Sequence, residues 1–425
     1  MMRSNGERRE SFTPHVKVPR VRTESRPGAD VVVGTERSLR RQRLRRLLIG
    51  ASLWIAALGH AEPTSDAEIL GRDREGARVD EFRLRVSSYY QEGRGYQSKA
   101  GTLAGPGSER ALIVQPMMLL GIRQNARIHH EVVIPIDIVS AASVNALDVV
   151  SHASAVNEAV GIELTSRFDL TDDDQLTSNI AWHEEEPFGS GSFGLGYNRS
   201  LADDNAVLGI SGQATFDRFD YLQPNGDRYG RRNRSALNGN LNFSQLLSPT
   251  TIFDVSYGLT FQQGLLETSY NSVPMEGGTS RTGELFPHSR TRHAVQARVA
   301  QHLPESHTTL RAAYRYYTDT FQLSAHTTEF ELHQYLWPWL IARGSFRYYT
   351  QTGADFFTTA FPSSESLRLP RTADSDLAAF NAQEYGLKLA WLARGQSALD
   401  LGFFHYFRDN GLYANVFSFG YGGRF

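Results

Sequence analysis

"TIFDVSYGLTFQ", residues 251–262, alternates without a break. Phe253, Val255, Tyr257, Leu259 and Phe261 fall on one face, and Asp254, Ser256, Gly258, Thr260 and Gln262 on the other. Successive side chains of an extended chain point to opposite sides, so the stretch reads as a strand with one apolar and one polar face. "LIARGSFRYYTQ" (340–351) and "ALDLGFFHYFR" (398–408) repeat the pattern. A soluble sandwich also alternates in this way, so spacing has to decide between the two.

Sixteen such strands are expected, at 81–90, 110–120, 127–139, 159–169, 175–184, 191–199, 206–218, 235–246, 251–263, 289–301, 308–319, 325–335, 341–352, 381–393, 398–408 and 412–425. Every second connection is short (121–126, 170–174, 200–205, 247–250, 302–307, 336–340 and 394–397). All the long ones fall in the other set: 91–109, 140–158, 219–234, 264–288 and 353–380. Short turns on one rim and long loops on the other are the layout of an all-β transmembrane antiparallel barrel of about sixteen strands, with periplasmic turns and extracellular loops. The expected location is the bacterial outer membrane, with outer-membrane lipids as the surroundings. Closure follows from hydrogen bonding, because an open edge in lipid would leave a row of backbone groups unpaired. "FSFGYGGRF" is then the closing strand, with Phe417, Phe419, Tyr421 and the terminal Phe425 on its lipid face. This tail resembles the C-terminal signal read by the barrel assembly machinery, although Gly423 stands where a second apolar residue is usual. Trp337, Pro338 and Trp339 suit an interfacial anchor in a short turn.

The longest apolar run, Leu47 to Leu58, follows "RRQRLRR" and precedes "GHA" at 59–61. A basic region, a short apolar run and a small-x-small site predict a signal peptide cut after Ala61. The alternative is a short N-terminal anchor, for which the run is too short to span comfortably. Residues 1–36 are polar and Arg-rich, an odd preface to a signal, and suggest a true start near Val31 to Val33. The expected organisation is therefore an N-terminal extension and signal over 1–61, a periplasmic lead-in over 62–80, and the barrel over 81–425. Residues 62–425 carry 31 basic and 41 acidic side chains, a balance that opposes general nucleic-acid binding. The chain has no Cys, which suits an exported protein without disulfides.

"SRTRHA" (289–294), "YRYYTD" (314–319), "AHT" (325–327) and "RYYTQTGADFF" (347–357) follow one another at strand spacing, with "DIVSAASV" (137–144) upstream. Together with Phe425 they resemble the outer-membrane proteins catalogued as domain-of-unknown-function family 3570, over roughly 80–425. Phe321 stands where an aromatic Trp is expected after "TD", and Phe357 where Tyr is commoner. The resemblance implies a barrel with no assigned reaction. It also implies gene neighbours that include a thioredoxin-like protein, a small lipoprotein and a flavin-attaching enzyme, hence a periplasmic lipoprotein or thioredoxin-like partner.

The alternation also assigns the lumen. It places Arg290, Arg292 and Arg298, then Arg311, Arg315 and Asp319, then Glu329 and Glu331, then Arg343 and Arg347 on the inner face of four successive strands. An acidic strand flanked by arginine strands can form a ladder of guanidinium–carboxylate pairs. Seven arginines against three acids leave that wall locally positive. The ladder either stiffens the wall or guides an anionic solute. His129 with Glu131, and "WHEEEP" around His183, fall short of a three-ligand metal spacing, and "TDDDQ" (171–175) lacks a full calcium-loop pattern. No metal or cofactor is expected. A lipase-type surface enzyme would need a Ser–His pair, yet Ser289 and His293 lie four apart on one strand, about 13 Å. The leading expectation is a porin-like or solute-selective channel. The alternatives are a non-conducting scaffold that anchors a lipoprotein or redox partner and, third, a surface enzyme.

Overall fold

In the computed structural model the described residues are 76–93, 111–141, 157–185, 188–222, 228–267, 272–276, 280–393 and 397–425. The signal-peptide reading of 1–61, most of the lead-in and part of "DIVSAASV" lie outside them. The strands are β1 (Arg78–Glu92), β2 (Ala111–Asn125), β3 (Ile128–Ala141), β4 (Asn157–Asp169), β5 (Asp174–Glu185), β6 (Phe188–Leu201), β7 (Ala206–Leu222), β8 (Arg228–Ser248) and β9 (Thr251–Gly264). After a small hairpin, β10 (Ser272–Pro274) and β11 (Arg281–Gly283), come β12 (Ser289–Leu303), β13 (Thr308–Asp319), β14 (Ser324–Trp337), β15 (Leu340–Gln351), β16 (Phe380–Leu392), β17 (Ser397–Arg408) and β18 (Tyr413–Arg424). Apart from the hairpin, each strand pairs antiparallel with its neighbours, and the sixteen close into one transmembrane barrel. No described helix is long and apolar enough to cross a membrane.

Closure is made by β1 on β18, in register from Glu81 opposite Arg424 to Glu92 opposite Tyr413. Phe425 extends the seam by donating its N–H to the Asp80 carbonyl at 2.9 Å. The outer face is an apolar belt of side chains with no protein partner above them, among them Phe216, Ile210, Leu237 and Phe330. Phe417, Phe419, Tyr421 and Phe425 belong to it; Phe417 is 57% and Phe425 78% exposed. Such a surface needs hydrocarbon rather than water around it. At the short-turn end Trp337 and Trp339 stack at 5.5 Å and 9°. On the outer face of the other half, Tyr257 is hydrogen-bonded to His293 at 2.8 Å and Tyr314 to His326 at 2.6 Å. Aromatic groups with a polar tip suit the boundary between lipid tails and head groups.

The short connections are two to four residues long, at 126–127, 170–173, 202–205, 249–250, 304–307, 338–339 and 393–396. On the opposite rim the structure departs from the expected loops in two ways. First, the loop expected at 219–234 is mostly strand, because β7 and β8 continue to Leu222 and from Arg228. That segment is too polar to read as membrane strand, but the ladder continues past the apolar belt through cross-strand pairs such as Arg234 on Asp217 at 2.7 Å. Second, the loops 265–288 and 352–379 fold upon each other.

Closure through the last residue generates a test. Replacing Phe425 by Asp should cut several-fold the heat-modifiable barrel recovered from the membranes of a Gram-negative expression host. Undiminished recovery would show that the seam does not need this residue.

Candidate functional site

The register fixes which side chains meet inside. Reading across from β12, Arg292 lies opposite Asp319, Gln296 opposite Arg315, Arg315 opposite Thr327, Thr327 opposite Tyr349, and Glu329 opposite Arg347. All these side chains share the inner face, because their neighbours Val295, Tyr314, Tyr316, Phe330 and Tyr348 are on the lipid belt.

Most of the charges pair. Glu331 gathers three cationic or potentially cationic groups: Arg311 at 3.6 Å, His333 at 3.0 Å and Arg343 in closer contact still. Arg347 sits 3.4 Å from Glu329. Arg298 donates its Nε to Asp254 at 2.9 Å, and Ser244 donates to the other oxygen at 2.6 Å. Arg290 donates to Asp319. Arg292 and Arg315 are different: among the described residues neither makes an ion pair or hydrogen bond.

The balance of three acids therefore has to be widened. Asp254 completes Arg298, and Lys388 with Asp400 at 2.8 Å and Arg408 with Asp376 at 2.6 Å extend the paired charges onto β16, β17 and the loop 352–379. Asp254 stood on the polar face of 251–262, and extending the face assignment one strand back from Arg298 would have found it. The excess positive charge of this wall sits at Arg292, at Arg315 and at the pair Arg311 and Arg343, which share one carboxylate.

Above this wall lies a folded lid, held at Asp319. The Asp319 side chain is completely buried. Its Oδ2 accepts from Arg290 Nε at 2.8 Å and from the Tyr317 hydroxyl at 2.7 Å. Its Oδ1 accepts from the N–H groups of Phe321 at 2.8 Å and Leu323 at 3.2 Å. These donors on both oxygens take the place of the water that burial removes from the carboxylate. These bonds turn the chain inward and bury Phe321, with the Arg290 guanidinium 4.4 Å above its ring.

Phe321 packs edge-on against Phe286 of loop 265–288 at 5.8 Å and Phe356 of loop 352–379 at 4.9 Å. The cluster rests on the lumenal residues Tyr317, Ala325 and Tyr349. Gln351 on β15 donates to the Asp376 and Ala378 carbonyls at 2.9 and 2.5 Å, tying the strand to the loop. A second cluster of Val273, Phe361 and Ala373 joins the loops further out, with Phe361 N–H on the Pro274 carbonyl at 2.7 Å. Arg371 is buried between them, donating to the carbonyls of Gly283, Leu367 and Leu369 at 3.0, 2.8 and 3.1 Å. Burial pushes its guanidinium below the usual arginine range, and these carbonyl dipoles hold the cation in place.

The other candidates are placed as follows. His129 lies 3.3 Å from Asp80, and His183 3.8 Å from Glu185. Among the described residues no group of three or more His, Cys, Asp or Glu side chains is arranged to hold a metal ion. Ser289 and His293 share the outer face with Val295, and His293 is engaged with Tyr257 rather than with a serine.

A family model described as "Protein of unknown function (DUF3570)" matches residues 160–420. No curated protein matches the chain. Solved structures similar to it include a bacterial polysaccharide outer membrane secretin, at 10% identity and TM-score 0.44, with 81% of this chain and 98% of that one covered. Another is a ferric enterobactin receptor (PfeA) mutant of Pseudomonas aeruginosa, at 11% and 0.43, with 79% and 54% covered, so this chain spans about half the receptor's length. A third is OpdK of Pseudomonas aeruginosa, in a structure with vanillate, at 10% and 0.39, with 81% and 98% covered.

The anchoring of the lid can be tested at its carboxylate. Asp319→Ala leaves Arg290 buried without its partner, a loss of about 3–5 kcal/mol for such pairs. Limited proteolysis of the reconstituted variant should open the 355–370 segment to cleavage while the strands stay protected. A wild-type cleavage pattern would mean that the lid stands without this bond.

Proposed function

Starting from the premise that the chain belongs to the DUF3570 family, we propose that it is a bacterial outer-membrane channel whose lumen favours anions. The observation that carries this reading is the charge pattern of the inner wall. Arg315 has no acidic partner among the described residues, Arg311 and Arg343 share Glu331, and Arg290 and Arg292 both stand beside the single carboxylate of Asp319. Arg315, exposed to the lumen with nothing to pair it, is hard to explain as wall stiffening, which only the paired arginines serve. Poorly polarisable walls focus the field of such a charge into the lumen and raise the local concentration of anions.

On this reading the short turns face the periplasm and the lid faces outward. A tag between Ser363 and Ser364 would then be reached by antibody on intact cells and one at Pro249 would not; the reverse labelling would turn the barrel over.

A second reading, a non-conducting scaffold for a periplasmic lipoprotein or a thioredoxin-like partner, draws its support from the lid. Loops 265–288 and 352–379 are packed into the mouth above β12 to β15 rather than spread around it.

Planar-bilayer recording under a salt gradient separates the readings. The purified protein should conduct, with a reversal potential on the anion side, and the double variant Arg315→Glu, Arg343→Glu should move that potential toward or past zero selectivity. Conduction indifferent to the substitutions would make the arginines structural. A silent barrel would leave the scaffold as the better account.

A further inference from the structure

One row of the barrel interior is built unlike its neighbours. Following the register from β6, Asn198 lies opposite Gly209, Gly209 opposite Asn242, Asn242 opposite Ser256, Ser256 opposite Gln296, and Gln296 opposite Arg315. Among the described residues, the side chains of Asn242, Ser256, Gln296 and Arg315 make no hydrogen bond. The row one step toward the lid, Asn240, Gly258 and Ala294, offers fewer polar groups and ends on Tyr317, whose hydroxyl donates to Asp319. One step toward the short turns, Ser244 and Arg298 are bound to Asp254 at 2.6 and 2.9 Å. Two steps the other way, Thr260 donates to Asn238 at 2.8 Å. Asn242 and Arg315, at the two ends of the row, are exposed to the lumen.

Glycine makes room for the amide end. A Cβ at Gly209 would lie 2.4 Å from Asn198 Oδ1 and 2.5 Å from Asn242 Oδ1, so both amides lie over the glycine and a side chain there would push them aside. At the other end Thr327 and then Tyr349 continue the row beyond Arg315.

We propose that this row is a binding strip for a sugar acid, a solute that carries a carboxylate and several hydroxyls. The proposal rests on the channel reading and names the solute class that the channel would favour. Arg315 supplies a forked set of N–H donors that fits a carboxylate. Gln296 and Asn242 each offer both donors and an acceptor, and Ser256 does the same with one atom. A sugar hydroxyl also both donates and accepts, so these groups can exchange their water for it without leaving a bond unmade. The strip from Asn242 to Arg315 crosses three strand spacings, about 14 Å, enough for a solute longer than one small ion. Chloride or acetate would use Arg315 alone and gain nothing from the three neutral groups. A flat aromatic acid would strip water from them and return no hydrogen bonds.

The test uses the purified full-length barrel in planar bilayers, with glucuronate, glucose, acetate and benzoate as probes added to chloride. Glucuronate should reduce the chloride current at concentrations at least ten-fold below those needed for acetate, glucose or benzoate. Gln296→Ala and Asn242→Ala should each lower the glucuronate-to-acetate ratio several-fold, and Arg315→Gln should abolish the effect of glucuronate. Acetate or benzoate acting as strongly as glucuronate would reduce the strip to a single anion post and overturn the proposal, as would glucose acting equally. If the barrel carries no current, the channel reading fails by itself. Calorimetric titration of glucuronate into the detergent-solubilised protein then decides the strip: binding lost in Arg315→Gln upholds it, and no binding ends it.

Discussion

A backbone N–H or carbonyl turned toward hydrocarbon has no water to fall back on, and leaving it unmade costs several kcal/mol. That constraint governs everything else in this molecule. It requires β1 to meet β18, and their twelve paired positions leave no free edge in the ladder. Once the ring is closed, every strand has one face toward lipid and one toward the lumen, so a two-residue alternation becomes a map of inside and outside. The polar side chains of 251–262 are therefore lumenal by necessity: Asp254, Ser256 and Thr260 have nowhere else to be satisfied.

Closure fixes the wall but not what stands at its mouth. The lid needs an anchor of its own, because loops that cross water lose conformational freedom on ordering. Asp319 provides it at the last position of β13, where the ladder ends and the chain must turn. Its two oxygens gather a strand arginine, a lumenal tyrosine and two turn N–H groups, binding the rigid wall to the turn above it. The turn then presents Phe321 as the hub on which Phe286 and Phe356 meet. Many residues of the motifs that carry the family resemblance gather here: Arg290, Tyr317, Asp319, Tyr349, Gln351, Ala354 and Phe356 all contribute to the anchor or to the packing beneath it.

This division explains what could be read in advance. Strand number, closure and the inner face of Arg290 through Arg347 follow from period two and from the parity of connection lengths, both local properties of the chain. The lid does not. Phe286, Phe321 and Phe356 lie in three separate segments with no shared period, and nothing local says that they meet. Phe321 stood out only as a departure from the aromatic expected at that place. The partners of the arginines were half legible. Glu329 and Glu331 lie on the next strands and were anticipated, whereas Asp376 reaches Arg408 from a loop whose fold no pattern announces. The ends of β7 and β8 misled for a related reason: a ladder that leaves the membrane loses its apolar face but keeps its hydrogen bonds.

Pairing and its absence along the same wall have different consequences. A guanidinium bound to a carboxylate of its own, as in Arg298 with Asp254 or Arg347 with Glu329, is held in one geometry and presents little net charge to the bore. Such pairs brace the strands on which the unpaired groups sit. Arg315 gains from this arrangement, because Arg311 is turned toward Glu331 four residues below it and the buried Asp319 pins the chain four residues above. Its root is therefore fixed while its head is left free. A side chain held in that way loses less freedom when a carboxylate arrives than one on a mobile loop would. The same logic applies to Gln296 and Ser256, which stand on strands paired on both sides, one step from the bound row of Asp254 and Arg298. The unpaired row is thus more than a gap in the hydrogen bonding of the wall, because the bound row of Asp254 and Arg298 beside it and the two-sided pairing of its strands keep its groups in position.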